Sequence, residues 1–346
     1  MSSKTKIQSL KAVAEHLHIS VATVSWVLSG KGDEKKISLA TQEKVLAYTR
    51  EIGYHPNLLA RALNVGRTNT VGLILPSISD TFYSGVAKVV ESCLDKLNYS
   101  LMICSSDSNG EREGRMVRIM KSHQVDGIII APTKQNREVI QGLIDEHYPL
   151  VLFDRFFSDL STNYVLIDNR ESSCKLVDNI IRKGARKIAI ITTNPYLTTL
   201  SFRLEGYLDA LKKNGMPIDP NLIKVIDIHG YEENIPFALD ELFYQVPDVD
   251  GFFFTTHILA IEAFNYFINN NIDYNNRFKL ASIHEESLFR IIAPQMDIAL
   301  MPIQEIGEKT VGILLKEVER KFRKKDFADG DNIEHLILPC QMLYRE

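Results

Sequence analysis

The chain has few cysteines and no long apolar segment. It contains four cysteines in 346 residues, and no two have the two-to-four-residue spacing of a zinc clip or redox pair. No run approaches the roughly 18 consecutive apolar residues that would span a bilayer, and the first residues lack the apolar stretch of a secretory signal. We therefore expect reduced cysteines and a cytoplasmic protein without a membrane partner.

Sequence motifs of metalloproteins and enzymes are also missing. The nine histidines form no H-E-x-x-H pattern, and no Walker loop or G-x-G-x-x-G sequence opens a helix after a strand. No nucleophile elbow is found either. The sequence therefore supports no metal site, no cofactor and no enzymatic activity. An enzyme on a doubly wound fold remains an alternative, because such folds host many chemistries.

Residues 9–29 instead predict two short helices joined by a tight turn, the arrangement of a helix-turn-helix unit that binds DNA. Apolar residues in the first helix recur at three- and four-residue spacing, which predicts one buried face. Ser20 can cap the second helix by accepting a hydrogen bond from a backbone N–H group. The residues expected on the exposed face, where base edges would be contacted, are Val21, Ala22, Ser25 and Trp26.

This segment and the residues after it resemble the lactose-repressor (LacI) family of bacterial transcription regulators. The family signature V-A-x-x-x-x-V-S-x-x-T-V-S-R-V-L-N-G is matched between Val13 and Gly30, and further matches occur at residues 43–45, 52–57 and 60–63. The spacing is kept apart from three extra residues near Asp33 to Lys35. The resemblance implies a helix-turn-helix domain at residues 1–56, a hinge helix and linker at 57–66, and an effector-binding and dimerisation domain at 67–346.

The resemblance also implies which residues contact a double-stranded DNA operator. In the family, paired hinge helices lie in the minor groove and insert a leucine between base pairs, the position that Leu63 has here. An alternative is that residues 56–64 form an ordinary linker helix packed on the body. The implied DNA-binding residues are Ser9, Leu10, Ser20, Val21, Ala22, Thr23, Ser25, Trp26, Ile37, Ser38, Asn57, Arg61 and Leu63.

The charge distribution agrees with a DNA-binding segment at the start of the chain. Residues 1–67 hold ten Lys or Arg and five Asp or Glu, whereas the remaining residues hold 30 and 39 of them. A basic segment can neutralise phosphates while an acidic body stays off the DNA. An ordinary solvated basic surface would show the same excess, so charge alone does not decide between the two.

Trp26 departs from the family, which commonly has an arginine here that can pair with guanine. An indole cannot make that bidentate contact, but it can press on thymine methyl groups. Alternatively, Trp26 turns inward against the third helix. The operator sequence therefore cannot be deduced from the family's usual half-site. His18 is a second departure, because it replaces a glycine common in the turn.

Beyond residue 67, apolar runs alternate with amphipathic stretches, which predicts parallel sheets flanked by helices. The resemblance implies an α/β fold with an all-α head and a two-lobed body like the periplasmic binding proteins. The chain would cross between lobes near residues 165, 295 and 330. The ten predicted strands are Val71–Pro76, Leu101–Cys104, Gly127–Ala131, Leu150–Asp154, Val165–Asp168, Lys187–Thr192, Lys224–Ile228, Gly251–Thr255, Lys279–Ile283 and Ile298–Met301.

The resemblance places a sugar-like effector in the cleft between the lobes. Asp80 and Asp168 could instead cap the next helix, and Tyr231 could be a core residue. Where the family often shows Asn-Asp and Gly-Phe-Asp-Asp, the chain has Thr256-His257 and residues 282–285 (S-I-H-E), which favours an anionic ligand such as a sugar acid or sugar phosphate. The expected effector-binding residues are Asp80, Phe82, Tyr83, Asp154, Arg155, Asp168, Arg203, Tyr231, Thr256 and His284.

These features predict a homodimeric repressor of carbohydrate-utilisation genes, whose affinity for its operator changes when the effector binds. Two heads on a near-palindromic site would share one two-fold axis. A ligand that prefers one arrangement of the lobes shifts the population toward it, and its coupling to DNA affinity is reciprocal. The alternatives are a sugar-responsive protein with lost or altered operator recognition, and an enzyme on a doubly wound fold.

Overall fold

The computed structural model describes residues 9–54, 66–194, 198–227, 230–322 and 333–345. The chain divides into two compact units, residues 1–68 and 69–346, which are here named the head and the body. The predicted hinge residues Asn57, Arg61 and Leu63 lie outside the described residues, so their contact with DNA stays a prediction. No helix in the described part of the chain is long and apolar enough to cross a bilayer.

The described residues of the head form three helices around a small apolar core. Each helix follows a serine whose side-chain oxygen accepts a backbone N–H at 3.0–3.3 Å: Ser9 from Ala12, Ser20 from Thr23, and Ser38 from Thr41. His18 ends the first helix in the left-handed region, with φ 57°. The helices are α1 (Leu10–Leu17), α2 (Val21–Leu28) and α3 (Leu39–Glu51).

The described residues of the body form two six-stranded sheets, in the order β11-β5-β4-β3-β1-β2 and β12-β10-β9-β8-β6-β7. All neighbouring strands pair in parallel except β10 and β12. The strands are β1 (Thr70–Leu75), β2 (Ser100–Ser105), β3 (Gly127–Ile130), β4 (Leu150–Phe153), β5 (Asn163–Ile167), β6 (Ile188–Thr193), β7 (Ile223–Ile226), β8 (Gly251–Phe254), β9 (Lys279–Ile283), β10 (Asp297–Leu300), β11 (His335–Leu338) and β12 (Gln341–Leu343).

Helices follow most strands, as parallel pairing requires. Strands β3, β4 and β8 are buried along their whole length, because helices cover both faces of each sheet. The helices are α4 (Thr81–Asp95), α5 (Gly110–Ser122), α6 (Arg137–Asp145), α7 (Asn169–Arg182), α8 (Thr198–Lys213), α9 (Tyr231–Gln245), α10 (His257–Asn269), α11 (Tyr274–Arg277), α12 (Phe289–Ile292) and α13 (Ile303–Phe322).

The chain passes between the two sheets three times. It enters the second sheet between β5 and β6, returns to the first between β10 and β11, and crosses again between Leu338 and Gln341. Each sheet with its covering helices is one lobe, so the two-lobed α/β body and the helical head confirm the expected fold class. All ten predicted strands overlap observed ones, whereas β11 and β12 were not predicted, since they are short and half exposed.

Gly206 lies where α8 packs directly on α7. A Cβ atom at this position would overlap the carbonyl oxygen of Arg170 and lie 2.7 Å from the Ser173 Cβ and 3.0 Å from the Cys174 nitrogen. Two of these three neighbours are backbone atoms, which cannot move without shifting the whole helix. The helix pair therefore requires glycine at position 206.

We expect Gly206→Ala to lower the free energy of unfolding by about 1–3 kcal/mol, because the added methyl overpacks the helix pair. Gly312→Ala is the matched control: it is also within a helix, but its Cβ would meet nothing within 4 Å. That control should gain up to about 1 kcal/mol, since alanine favours helix more than glycine does. Urea unfolding followed by circular dichroism measures both, and equal stabilities would contradict the close packing.

Candidate functional site

A cavity of about 350 Å³ lies in the body between the two lobes. Its walls come from segments that follow the carboxyl ends of strands in both sheets, the position at which parallel α/β sheets bind ligands. Eight of the ten expected effector-binding residues line it, although their contact with an effector stays a prediction. They are Asp80, Phe82, Tyr83, Asp154, Arg155, Arg203, Thr256 and His284.

Other polar residues that line the cavity were not among the expected effector-binding residues, although His257 was noted as a departure from the family. Thr133 and Lys134 come after β3, Asp227 directly after β7, and His257 at the start of α10 after β8. All follow the carboxyl end of a parallel strand. Applying that rule to every predicted strand would have found Thr133, Lys134 and His257, whereas Asp227 falls inside the predicted strand Lys224–Ile228, which is longer than the observed one.

Asp80 combines the two roles between which the sequence left a choice. Its carboxylate accepts hydrogen bonds from the backbone nitrogens of Phe82 and Tyr83, at 2.9 and 3.3 Å, and so caps α4. The same side chain lines the cavity. Burial raises the pKa of Asp80 above the usual value for a carboxyl group, and the nearby Asp154 carboxylate raises it further.

Tyr83, Asp154 and Arg155 form one connected group on the first lobe. The Tyr83 hydroxyl donates to Asp154 Oδ2 at 2.6 Å, and Arg155 Nε lies 3.6 Å from the same oxygen. Burial raises the pKa of Tyr83 well above its usual value, so the phenol keeps its proton and remains a donor. Asp154 has φ 60°, a left-handed conformation that costs energy for a residue with a side chain.

Arg203 is buried on the second lobe, and its guanidinium is held in place by two hydrogen bonds. Its Nε donates to Asn169 Oδ1 at 2.8 Å, and its Nη1 donates to the Thr255 carbonyl at 2.6 Å. Because the group is rigidly placed at the cavity wall, little side-chain entropy would be lost when a ligand binds it.

Two expected effector residues, Asp168 and Tyr231, do not line the cavity. Asp168 Oδ1 instead accepts from the Ser172 hydroxyl at 2.6 Å and from the Cys340 backbone nitrogen at 3.0 Å. The side chain therefore ties the start of α7 to the segment before β12, and it accepts no hydrogen bond from a backbone N–H group of α7. Tyr231 begins α9 and packs against the core of the second lobe, in agreement with the alternative that it is a core residue.

The histidines of the cavity carry no positive charge at neutral pH. Burial lowers the pKa of His257 to about 4 and that of His284 to about 3, with smaller contributions from nearby positive groups. The charged groups of the wall comprise equal numbers of acidic and basic side chains. This balance does not favour the anionic effector expected from the sequence. The acidic residues are Asp80, Asp154 and Asp227, and the basic residues are Lys134, Arg155 and Arg203.

In the head, α2 presents an exposed face that agrees with the expected DNA-contacting surface. Val21 is 45% exposed and Trp26 is 39% exposed, while Val24 and Val27 are buried. The exposure of Trp26 favours the outward orientation over packing against α3. Ala22 and Ser25 are also exposed, Thr23 and Ile37 are half-buried, and Ser9, Ser20 and Ser38 serve as helix caps beside the half-buried Leu10.

One of the three extra residues of the head, Lys35, lies next to Trp26. Lys35 Nζ is 5.9 Å from the centre of the indole ring, within the range of a cation–π contact. Gln42 holds the same loop by donating to Asp33 Oδ1 and to the Ile37 carbonyl, both at 2.9 Å. A lysine thus lies beside the position of the missing arginine, and no motif could have revealed it.

Comparison with known proteins agrees with this architecture. The model of bacterial regulatory proteins of the lacI family matches residues 9–57, and that of periplasmic binding proteins and the sugar binding domain of the LacI family matches residues 68–263. The chain belongs to the LacI family. It is therefore a DNA-binding transcription regulator rather than an enzyme, as the sequence indicated.

Individual relatives cover nearly the whole chain or most of it. A probable HTH-type transcriptional regulator, EndR, of Paenibacillus polymyxa is 29% identical over 91% of this chain and 92% of its own length. The sucrose operon repressor of Klebsiella pneumoniae is 32% identical over 66% and 69%. The solved structure of the lac repressor dimer bound to operator and an anti-inducer is 18% identical, with a TM-score of 0.81 over 98% of both chains, and shares the fold.

The two roles of Asp80 can be separated by substitution. Alanine removes both capping hydrogen bonds, whereas asparagine retains an oxygen that accepts them, so Asp80→Ala should be about 1 kcal/mol less stable than Asp80→Asn. Asp95, exposed at the other end of α4, is the matched control, and there alanine should be at least as stable as asparagine. Chemical unfolding of the four variants tests this, and equal stability of the Asp80 pair would exclude a capping role.

Proposed function

We propose that the protein is a homodimeric, cytoplasmic repressor of carbohydrate-utilisation genes, and that a neutral sugar-like molecule in the cavity controls its affinity for the operator. The observation that supports this proposal is the cavity itself, whose wall combines equal numbers of acidic and basic side chains with aromatic rings. The domain boundaries expected above, with DNA binding before residue 57 and effector binding after residue 66, are part of the proposal.

The chemistry of the wall suits a polyhydroxylated ring. Carboxylates such as Asp154 accept hydrogen bonds from hydroxyl groups, and the fixed guanidinium of Arg203 donates to their oxygens. Phe82 and Tyr83 supply apolar faces for the C–H groups of the ring. The volume is at the lower end of the roughly 300–1,000 Å³ usual for ligand pockets, which favours a small sugar.

The regulatory mechanism follows from the two lobes. A sugar that contacts Tyr83 on one lobe and Arg203 on the other binds more tightly when the lobes are closed, and so shifts the population toward that arrangement. In a dimer with two heads, such a shift changes whether both heads and hinge segments engage one operator. Release of DNA by the sugar is the direction we propose.

The sugar specificity can be tested by thermal unfolding. Neutral mono- and disaccharides should raise the melting temperature of the purified protein, and a ligand at 100 times its Kd should add about 2.7 kcal/mol of stability. Arg203→Lys should abolish the shift, because a lysine cannot keep both fixed hydrogen bonds, whereas Arg115→Lys on an exposed face of α5 should not. A shift with sugar phosphates or sugar acids alone would instead support the anionic ligand.

Operator recognition can be tested with genomic DNA fragments from the source organism. The protein should enrich a palindromic site, and its affinity should fall steeply as salt concentration rises. Trp26→Ala should weaken binding to that site by roughly tenfold or more while leaving non-specific binding intact. Tyr244→Ala, which removes an aromatic side chain that is 89% exposed on the body, is the control.

Because Trp26 is the sole tryptophan, its fluorescence gives an independent readout. Operator binding should change the emission of the wild-type protein. Unchanged emission with saturated operator, together with unchanged affinity of Trp26→Ala, would contradict contact between this residue and DNA. Failure to retain any site would favour a sugar-responsive protein that has lost operator recognition.

A further inference from the structure

Three potential metal ligands lie close together at the edge of the cavity, although the two histidines are far apart in the sequence. His257 is the first residue of α10, His284 follows β9, and Glu286 lies two residues further on. One ligand atom from each lies within 4.8 Å of the other two. The spacing of 27 residues between the histidines matches no sequence motif, which is why no metal site was expected from the sequence.

His284 is held so that one of its ring nitrogens has no protein partner. The residue is 5% exposed, and its Nδ1 is buried without a hydrogen bond in the described part of the structure. Its backbone has φ 69°, in the left-handed region, and its backbone nitrogen donates to the Ala299 carbonyl at 3.0 Å. A buried nitrogen without a hydrogen-bond partner requires a physical explanation, and a bound ion would supply one.

The opposite lobe supplies a fourth potential ligand. Asp80, at the end of the segment after β1, has its Oδ2 3.8 Å from His257 Nε2, and Glu286 Oε1 lies 3.5 Å from the same nitrogen. The Thr81 hydroxyl also donates a hydrogen bond to Glu286 across the boundary between the lobes. The cluster therefore joins residues of both lobes at one point.

The donor set suits a divalent transition metal. It combines two imidazole nitrogens with carboxylate oxygens, all within 4.8 Å of one another for His257, His284 and Glu286. Zn²⁺ takes histidine nitrogens and carboxylate oxygens at about 2.0–2.2 Å, which places tetrahedral ligand atoms about 3.3 Å apart. Glu286 Oε1 and Asp80 Oδ2 are already close to that separation from His257 Nε2, and ligand atoms that lie up to 4.8 Å apart need to approach one another by up to about 1.5 Å.

We propose that His257, His284, Glu286 and Asp80 bind one divalent ion of the Zn²⁺ class, and that this ion joins the two lobes beside the effector cavity. Mg²⁺ is disfavoured, since it prefers oxygen ligands and octahedral geometry. Metal binding does not depend on the effector being a sugar. An ion shared by both lobes stabilises the closed arrangement.

Metal binding is tested on the full-length protein without any sugar. Titration calorimetry should show one Zn²⁺ per chain and no binding of Mg²⁺, and Co²⁺ should give the visible absorption bands of a tetrahedral site. His284→Asn should abolish the site, and asparagine tolerates the left-handed backbone. His147→Asn is the matched control, because His147 is an exposed histidine that also has a positive φ, of 49°.

A second variant distinguishes loss of the metal site from misfolding of the protein. His257→Gln should weaken Zn²⁺ binding at least tenfold while circular dichroism and melting in the absence of metal remain close to wild type. The proposal is overturned if wild-type protein binds no Zn²⁺, or if the stoichiometry and affinity are the same in wild type, His284→Asn and His257→Gln. Either of those results leaves the sugar-binding and DNA-binding experiments unaffected.

A separate experiment tests whether the metal ion contacts both lobes. Asp80→Asn keeps an oxygen that caps α4 but removes the charged ligand from the first lobe, so Zn²⁺ affinity should fall about tenfold. The wild-type protein should also become more compact in small-angle scattering when Zn²⁺ is added, and Asp80→Asn should not. Tight Zn²⁺ binding by Asp80→Asn with an unchanged scattering response would show that the ion lies on the second lobe alone.

Discussion

The parallel pairing of strands in both sheets is the constraint on which the rest of the body depends. Parallel strands place all their carboxyl ends at one edge, and the three crossings of the chain bring those edges of the two sheets to the same cavity. Residues as distant in sequence as Asp80, Asp154 and His284 become neighbours for this reason alone. The cavity is thus a consequence of topology, and its chemistry depends on which residues follow each strand.

Burial then determines what those residues can do. Arg203 is tolerated in the interior because Asn169 and the Thr255 carbonyl accept its hydrogen bonds, and Asp154 because the Tyr83 hydroxyl donates to it. The two histidines behave differently, because burial lowers the pKa of each and leaves both imidazoles uncharged at neutral pH. The same low-dielectric surroundings therefore yield fixed hydrogen-bonding groups for a polar ligand and uncharged imidazoles beside them.

The sequence was sufficient for the architecture but only partly for the sites. Strands such as β3 and β8 are continuous apolar runs because both faces are covered, and the serine caps of the head follow from local chemistry, so both were predictable. β12 is short, half exposed and antiparallel, and its position depends on β10. The contact of Lys35 with Trp26 and the meeting of His257 with Glu286 depend on tertiary packing, to which no spacing rule applies.

A sugar and a metal ion that both bridge the lobes would be coupled without touching each other. Each ligand can change the equilibrium between the open and closed arrangements by no more than the ratio of its affinities for the two. When one ligand has already closed the lobes, the other no longer bears the cost of closing them, and so it binds more tightly by the same factor in either order. Thus, Asp80 would connect the two effects, because it lines the sugar cavity and lies 3.8 Å from His257 Nε2.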